Sequence, residues 1–107
     1  MAVFSRKLCT DIEKLCDDDS LRQPVELLVE AVYNNNEPGS ATCVILTLDT
    51  VAPVLYTAAI GDSGYMILRK SGLDLTTAHR SREQQHSFNF PYQVGTGGDN
   101  PTKAKKE

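Results

Sequence analysis

No apolar run in these 107 residues approaches the ~20 that a helix needs to cross a bilayer. No basic segment followed by a long apolar stretch opens the chain, so no secretory signal or other targeting segment is visible. No internal repeat is present. Cysteine is sparse, and Cys9, Cys16 and Cys43 cannot all pair with one another. No Cys-x-x-Cys occurs and His79 and His86 lie far from the cysteines, so the usual zinc spacings are excluded. Each cysteine sits in an apolar pattern and reads as a reduced core thiol, which points to an intracellular compartment. A strong excess of charge is also missing. The net charge of -3 gives no general pull toward nucleic acid or an anionic membrane. Lys103, Lys105 and Lys106 form too short a cluster to change that.

What remains is ordinary globular composition, with 40% hydrophobic and 23% charged residues, enough for one small domain with a modest core. Phe4, Leu8, Cys9, Ile12, Leu15 and Cys16 recur at three- and four-residue intervals and predict a helix over 4–16. Pro24 suits a first helical turn, and Val25, Leu28, Val29 and Val32 supply a second amphipathic face that Asn34 to Asn36 bring to an end. Between them, Asp17-Asp18-Asp19 reads as a solvated loop, with a cation site as the alternative. From Gly39 the period changes. Thr42–Leu48, Val54–Ile60, Tyr65–Arg69 and Leu73–His79 read as short strands. Ser81 and Gln84 have the spacing of a capping box, but His86, Phe88, Phe90 and Tyr92 alternate with polar residues, and extended chain is expected over 85–93.

Gly61-Asp62-Ser63-Gly64 lies between two of those strands and predicts a tight turn, a hairpin with the Asp62 carboxylate at its tip. A charge held there needs a partner, and a metal or a solvated cleft supplies one; an ordinary surface turn capped by Asp62 is the alternative. Ser63 does not fit a protease nucleophile. Both histidines lie downstream of it, and Tyr65 stands where a nucleophile elbow has glycine. His79 and His86, seven apart, face opposite sides of an extended chain and read as polar packing residues. Arg80 and Arg82 are candidates to meet a phosphate, because a guanidinium forks onto its oxygens.

Three strings together resemble the metal-dependent type-2C protein phosphatases. They are Gly39-Ser40-Ala41-Thr42 before an apolar strand, Ala58-Ala59-Ile60-Gly61-Asp62-Ser63-Gly64, and the run His79-Arg80-Ser81, Glu83-Gln84-Gln85-His86, Phe88-Asn89, Pro91-Tyr92-Gln93. The last is similar to a signature of the T-cell-activation-phosphatase-like branch, found in mitochondria and plastids as well as elsewhere. The resemblance implies an α+β fold, here a partial α-β-β-α sandwich with two N-terminal helices followed by antiparallel strands. It implies protein phosphoserine and phosphothreonine hydrolysis by water activated on two Mn²⁺ or Mg²⁺ ions. Asp62 corresponds to a carboxylate near that metal cluster, with Gly61, Ser63 and Gly64 as the structural turn and Arg80 as a candidate substrate contact.

The family's other ligand strings, Asp-Gly-x-Gly-Gly, Asp-Gly-Leu/Ile-Phe-Asp and a late Asp-Asp/Asn pair, do not occur, and Asp99 has neither the flanks nor the position to replace them. The resemblance therefore implies that residues 1–95 are the central part of a phosphatase domain incomplete at both ends, with 96–107 a disordered tail. Such a fragment carries no catalytic residue of its own and is inactive alone. The parent enzyme's partner is a phosphoprotein substrate, and self-association through an uncovered sheet is expected of the piece. The rival reading is a non-catalytic, phosphatase-like interaction module.

Overall fold

Helix α1, Ala2–Cys16, forms where the apolar residues recur with helical period. In the computed structural model, which describes residues 2–17 and 23–106, Phe4 and Leu8 are fully buried, and Ile12 and Leu15 pack against the same core. Lys7 meets Asp11 one turn on at 2.7 Å. Helix α2, Pro24–Tyr33, starts on proline at its first position and buries Val25, Leu27, Leu28 and Ala31. The two helices pack together, and the Asn35 amide donates to the Phe4 carbonyl at 3.0 Å. The run Asp17–Asp19 falls largely outside the described residues.

The strands follow in order: β1 Ser40–Ala41, β2 Cys43–Asp49, β3 Val54–Ile60, β4 Met66–Ser71, β5 Asp74–Arg80, β6 Gln85–Ser87, β7 Phe90–Pro91, β8 Val94–Gly95 and β9 Lys105–Lys106. All pairings are antiparallel. Strands β2 and β3 form a hairpin whose turn is fixed by Asp49, its carboxylate accepting the Val51 and Ala52 N–H groups. Ile45 lies opposite Ala58 and Cys43 opposite Ile60. That face of the hairpin joins Phe4, Leu8, Val25, Leu28 and Ala31 in one core, closed by Val94 and Ala104. Each large side chain buried there contributes about 1.5–3 kcal/mol. At Gly95, φ is +122°, and a Cβ would run into the Gly39 carbonyl and the Phe4 ring.

Four expectations are corrected. Strands β3 and β4 do not form a hairpin, because β3 pairs with β2 and β9 while β4 pairs with β5. Each finds its neighbour across a turn, Thr50–Pro53 for one and Gly72-Leu73 for the other, so Gly61–Tyr65 becomes a crossover between two sheets. Residues 85–93 are not one strand: the chain reverses at Phe88-Asn89, with Asn89 at φ +58°, and β6 pairs with β7. The segment after Gly95 is ordered through Lys106, because Asn100 caps a 3-10 turn over Pro101–Lys103 and β9 then pairs with β3. Pro101 and Ala104 are buried there, a packing that residue composition does not reveal. Finally, Cys9 and Cys16 are exposed rather than core thiols, lying at the edge of the apolar stripe of α1. Cys43 is part-buried, and burial, with Cys9 adding to it, pushes its thiol up to about 11.

Candidate functional site

Strand β3 delivers the chain to Gly61 at the end of a buried run, Thr57–Ile60. Gly61 adopts φ +98°, and a Cβ there would collide with the Thr42 side chain and the Tyr92 carbonyl, so only glycine fits. The chain then swings outward and exposes Asp62, Ser63 and Gly64. The Ser63 hydroxyl lies 2.6 Å from that of Thr42, a hydroxyl pair in place of the hydroxyl–imidazole pair of a nucleophile. Tyr65 turns back, its phenol 2.8 Å from the Thr57 hydroxyl and its ring beside His79 at 5.7 Å.

A second segment fixes both ends of this loop. Gln84 donates its N–H to the Gly61 carbonyl at 2.9 Å and accepts the Gly61 N–H on its side-chain oxygen at 3.3 Å. Ser81 accepts the Tyr65 N–H on its hydroxyl at 2.9 Å, and its own N–H bonds the Tyr65 carbonyl. The spacing that looked like a capping box is therefore used across the chain rather than along a helix. Gln84 also donates its side-chain amide to the Lys103 carbonyl at 2.8 Å and accepts the Tyr92 N–H at 2.9 Å.

Asp62 and Arg80, separated by 18 positions, come together on one open cleft of about 310 Å³, lined also by Gly64, Tyr65, Met66, Ser81 and Glu83. Both side chains are exposed. Two carboxylates and a guanidinium on one solvated wall suit a hard cation or a phosphate. His86 stands apart, stacked on Tyr92 at 4.2 Å and bonded to Asp99 at 2.9 Å. Sequence reasoning missed Gln84 and Asp99 as organising residues; the only signal was the Ser-x-x-Gln spacing, and it pointed to a helix.

A hydrated Mg²⁺ or Mn²⁺ keeps several waters and takes one or two carboxylates, so Asp62, with Glu83 in the same cleft, fits a single such ion. It does not fit a two-ion centre: among the described residues no group of three or more His, Cys, Asp or Glu side chains is placed to hold a metal.

No protein-family model matches the chain. It is 35% identical over 99 residues to the protein phosphatase PTC7 homolog fig of Drosophila grimshawi, covering 86% of this chain and 31% of that protein. It is 37% identical over 98 residues to the protein phosphatase PTC7 homolog of Danio rerio, covering 85% and 32%. In three dimensions it matches the X-ray structure of the photosystem II phosphatase PBCP with a TM-score of 0.86 and 28% identity, over 99% of this chain and 41% of that one. Over the residues matched, two helices followed by antiparallel strands and a solvated Asp62 loop, the chain belongs to the type-2C protein phosphatases. Within that class it is similar to the PTC7 homologues, and it spans about a third of their length.

Proposed function

We propose that this chain is part of a metal-dependent protein Ser/Thr phosphatase and that its Asp62 carboxylate serves that enzyme's ion cluster. The supporting observation is the joint placement of Asp62 and Arg80 on one open cleft in a chain whose relatives are named protein phosphatases. Bound Mn²⁺ or Mg²⁺ supplies a water of lowered pKa and neutralises charge on the phosphoryl oxygens. Asp62, a hard oxygen donor, would hold one such ion or its waters, while ligands from sequence beyond these residues complete the pair. Gly61 and Gly64 give the loop its shape. Arg80 presents a planar fork of donors to the oxygens of a phosphoserine or phosphothreonine carried by a protein substrate. Ser63, paired with Thr42, has no part as nucleophile, which agrees with direct attack by water.

Taken alone, one or two carboxylates do not make a binuclear centre, and the 107 residues are inactive in this reading. With p-nitrophenyl phosphate and Mn²⁺, the purified chain gives no turnover above the metal-only background. Turnover that disappears in Asp62→Ala would overturn that part of the proposal.

We also propose that the chain associates with itself. Leu46, Leu48 and Leu55 share the face of the β2–β3 hairpin turned away from the helices, and Met66, Leu68 and Leu75 share one face of the β4–β5 ribbon, all exposed. A mitochondrial or plastid site for the parent protein rests on the branch that residues 79–93 resemble. No helix among the described residues is long and apolar enough to cross a membrane.

A further inference from the structure

The crossover loop carrying Asp62 belongs to no sheet, yet its two ends are gripped by a single short segment. We infer that Ser81 and Gln84 are positioning residues that hold the Asp62 carboxylate in place for the ion; the inference rests on the metal reading given above. Gln84 bonds both the N–H and the carbonyl of Gly61, and Ser81 bonds both the N–H and the carbonyl of Tyr65. Asp62, Ser63 and Gly64 are thereby strung between two fixed residues four positions apart, which narrows their backbone freedom before any ligand arrives. A Cβ at Gly64 would press on the Ser81 hydroxyl, so the loop lies directly against its clip.

Gln84 is itself anchored. Its side-chain amide donates to the Lys103 carbonyl, and its own carbonyl takes the Tyr92 N–H, so it cannot follow the loop if the loop moves. Two residues further on, β9 pairs Lys105 with Ala59, immediately upstream of Ile60 and Gly61. The strand leading into the loop and the clip that closes it are therefore braced by the same 103–106 stretch. A carboxylate on a free loop loses conformational entropy when it meets an ion, whereas a carboxylate on a pinned loop has already lost part of it. Partners that orient a metal ligand in this way are commonly worth about 10–100-fold in metal affinity.

The test uses the ¹⁵N-labelled 107-residue chain titrated with MnCl₂, reading paramagnetic broadening at the amides of 61–65, and amide exchange at Gly61 and Tyr65 without metal. Gln84→Ala and Ser81→Ala are expected to weaken apparent Mn²⁺ affinity at the loop by about 10-fold or more. They are also expected to accelerate exchange at Gly61 and Tyr65 respectively, with protection of the α1 and α2 amides unchanged. Gln84→Glu keeps an oxygen to accept the Gly61 N–H but sets its other oxygen against the Lys103 carbonyl, so protection at Gly61 and Mn²⁺ affinity are expected to fall between those of wild type and Gln84→Ala. Unchanged exchange at Gly61 and Tyr65 in the alanine variants overturns the inference, as does an affinity loss that appears only with loss of protection across the helices. If wild-type broadening at 61–65 is absent or survives Asp62→Ala, the metal reading fails by itself, and the exchange rates still decide whether the clip restrains the loop.

Discussion

Asp99 does more for this fold than its glycine-rich surroundings announce. One carboxylate oxygen lies 2.9 Å from His86 Nε2, and the other accepts the Gln93 N–H at 3.0 Å, while the Asp99 N–H returns to the Gln93 carbonyl. Desolvation pushes its carboxyl up, but the Gln93 N–H, the His86 ring and Lys103 together hold it below the ordinary 3.8. A carboxyl lowered in the folded state stabilises that state at any pH above its unfolded value, and the contribution fades as pH falls through the lower folded value. In denaturant titrations, Asp99→Asn is expected to be less stable than wild type at neutral pH, with the gap closing as the solution is acidified below the ordinary carboxyl value. A gap independent of pH would show that the interaction is not ionic. At this scale the turn over 61–64 that exposes Asp62 was legible because its motif is a local string. Gln84, Ser81 and Asp99 were not, because their partners lie 16 to 23 residues away in the first two cases and in a non-repeating loop in the third.

Among the elements, the helices were readable nearly to the residue because a 3.6-residue period and burial coincide in them. Phe4 and Leu8, and Val25 and Leu28, are both the periodic residues and the core. Leu28→Ala is accordingly expected to lower unfolding free energy by about 2–5 kcal/mol. Leu48→Ala, on the open side of β2, is expected to change it by less than about 0.5 kcal/mol when unfolding is followed at a dilution where the chain is monomeric. Thermal and denaturant unfolding of both variants checks the contrast; equal losses would mean that the face carrying Leu48 is covered. The four strands expected between 42 and 79 lie within a few residues of β2 to β5, but β3 and β4 do not pair, and 85–93 is a short hairpin rather than one run. A glycine-rich turn such as 61–64 records that the chain changes direction, and pairing is decided by which edges meet, information held in β9 and in residues 81–84 rather than in the turn. The same limit hid β9 itself, two lysines whose place in a sheet depends wholly on the free edge of β3.

The whole molecule is a slab, 48 × 40 × 21 Å, with a radius of gyration of 14.9 Å. A chain of this length folded into one compact body has about 13 Å. Helices cover one side of the β2–β3–β9 sheet, while apolar residues stand exposed on the other side and on the β4–β5 ribbon. Sedimentation velocity is expected to show dimers or larger species at micromolar concentration, and Leu46→Glu with Leu48→Glu to restore the monomer. A monomer at all concentrations would contradict the proposed self-association. The family resemblance was legible because it rests on three separated strings, and these lie where the structure brings the Thr42, Gly61 and Gln84 segments into contact.

In the function proposed for it, Asp62 serves a phosphatase ion cluster whose other ligands lie outside these 107 residues. The most direct test replaces the matching third of the Danio rerio PTC7 homologue with this chain and measures Mn²⁺-dependent release of phosphate from a phosphothreonine peptide. The account predicts an active chimera that loses most of its activity and weakens its Mn²⁺ dependence in Asp62→Ala. A folded chimera that is silent, or one equally active with and without the Asp62 carboxylate, would contradict it.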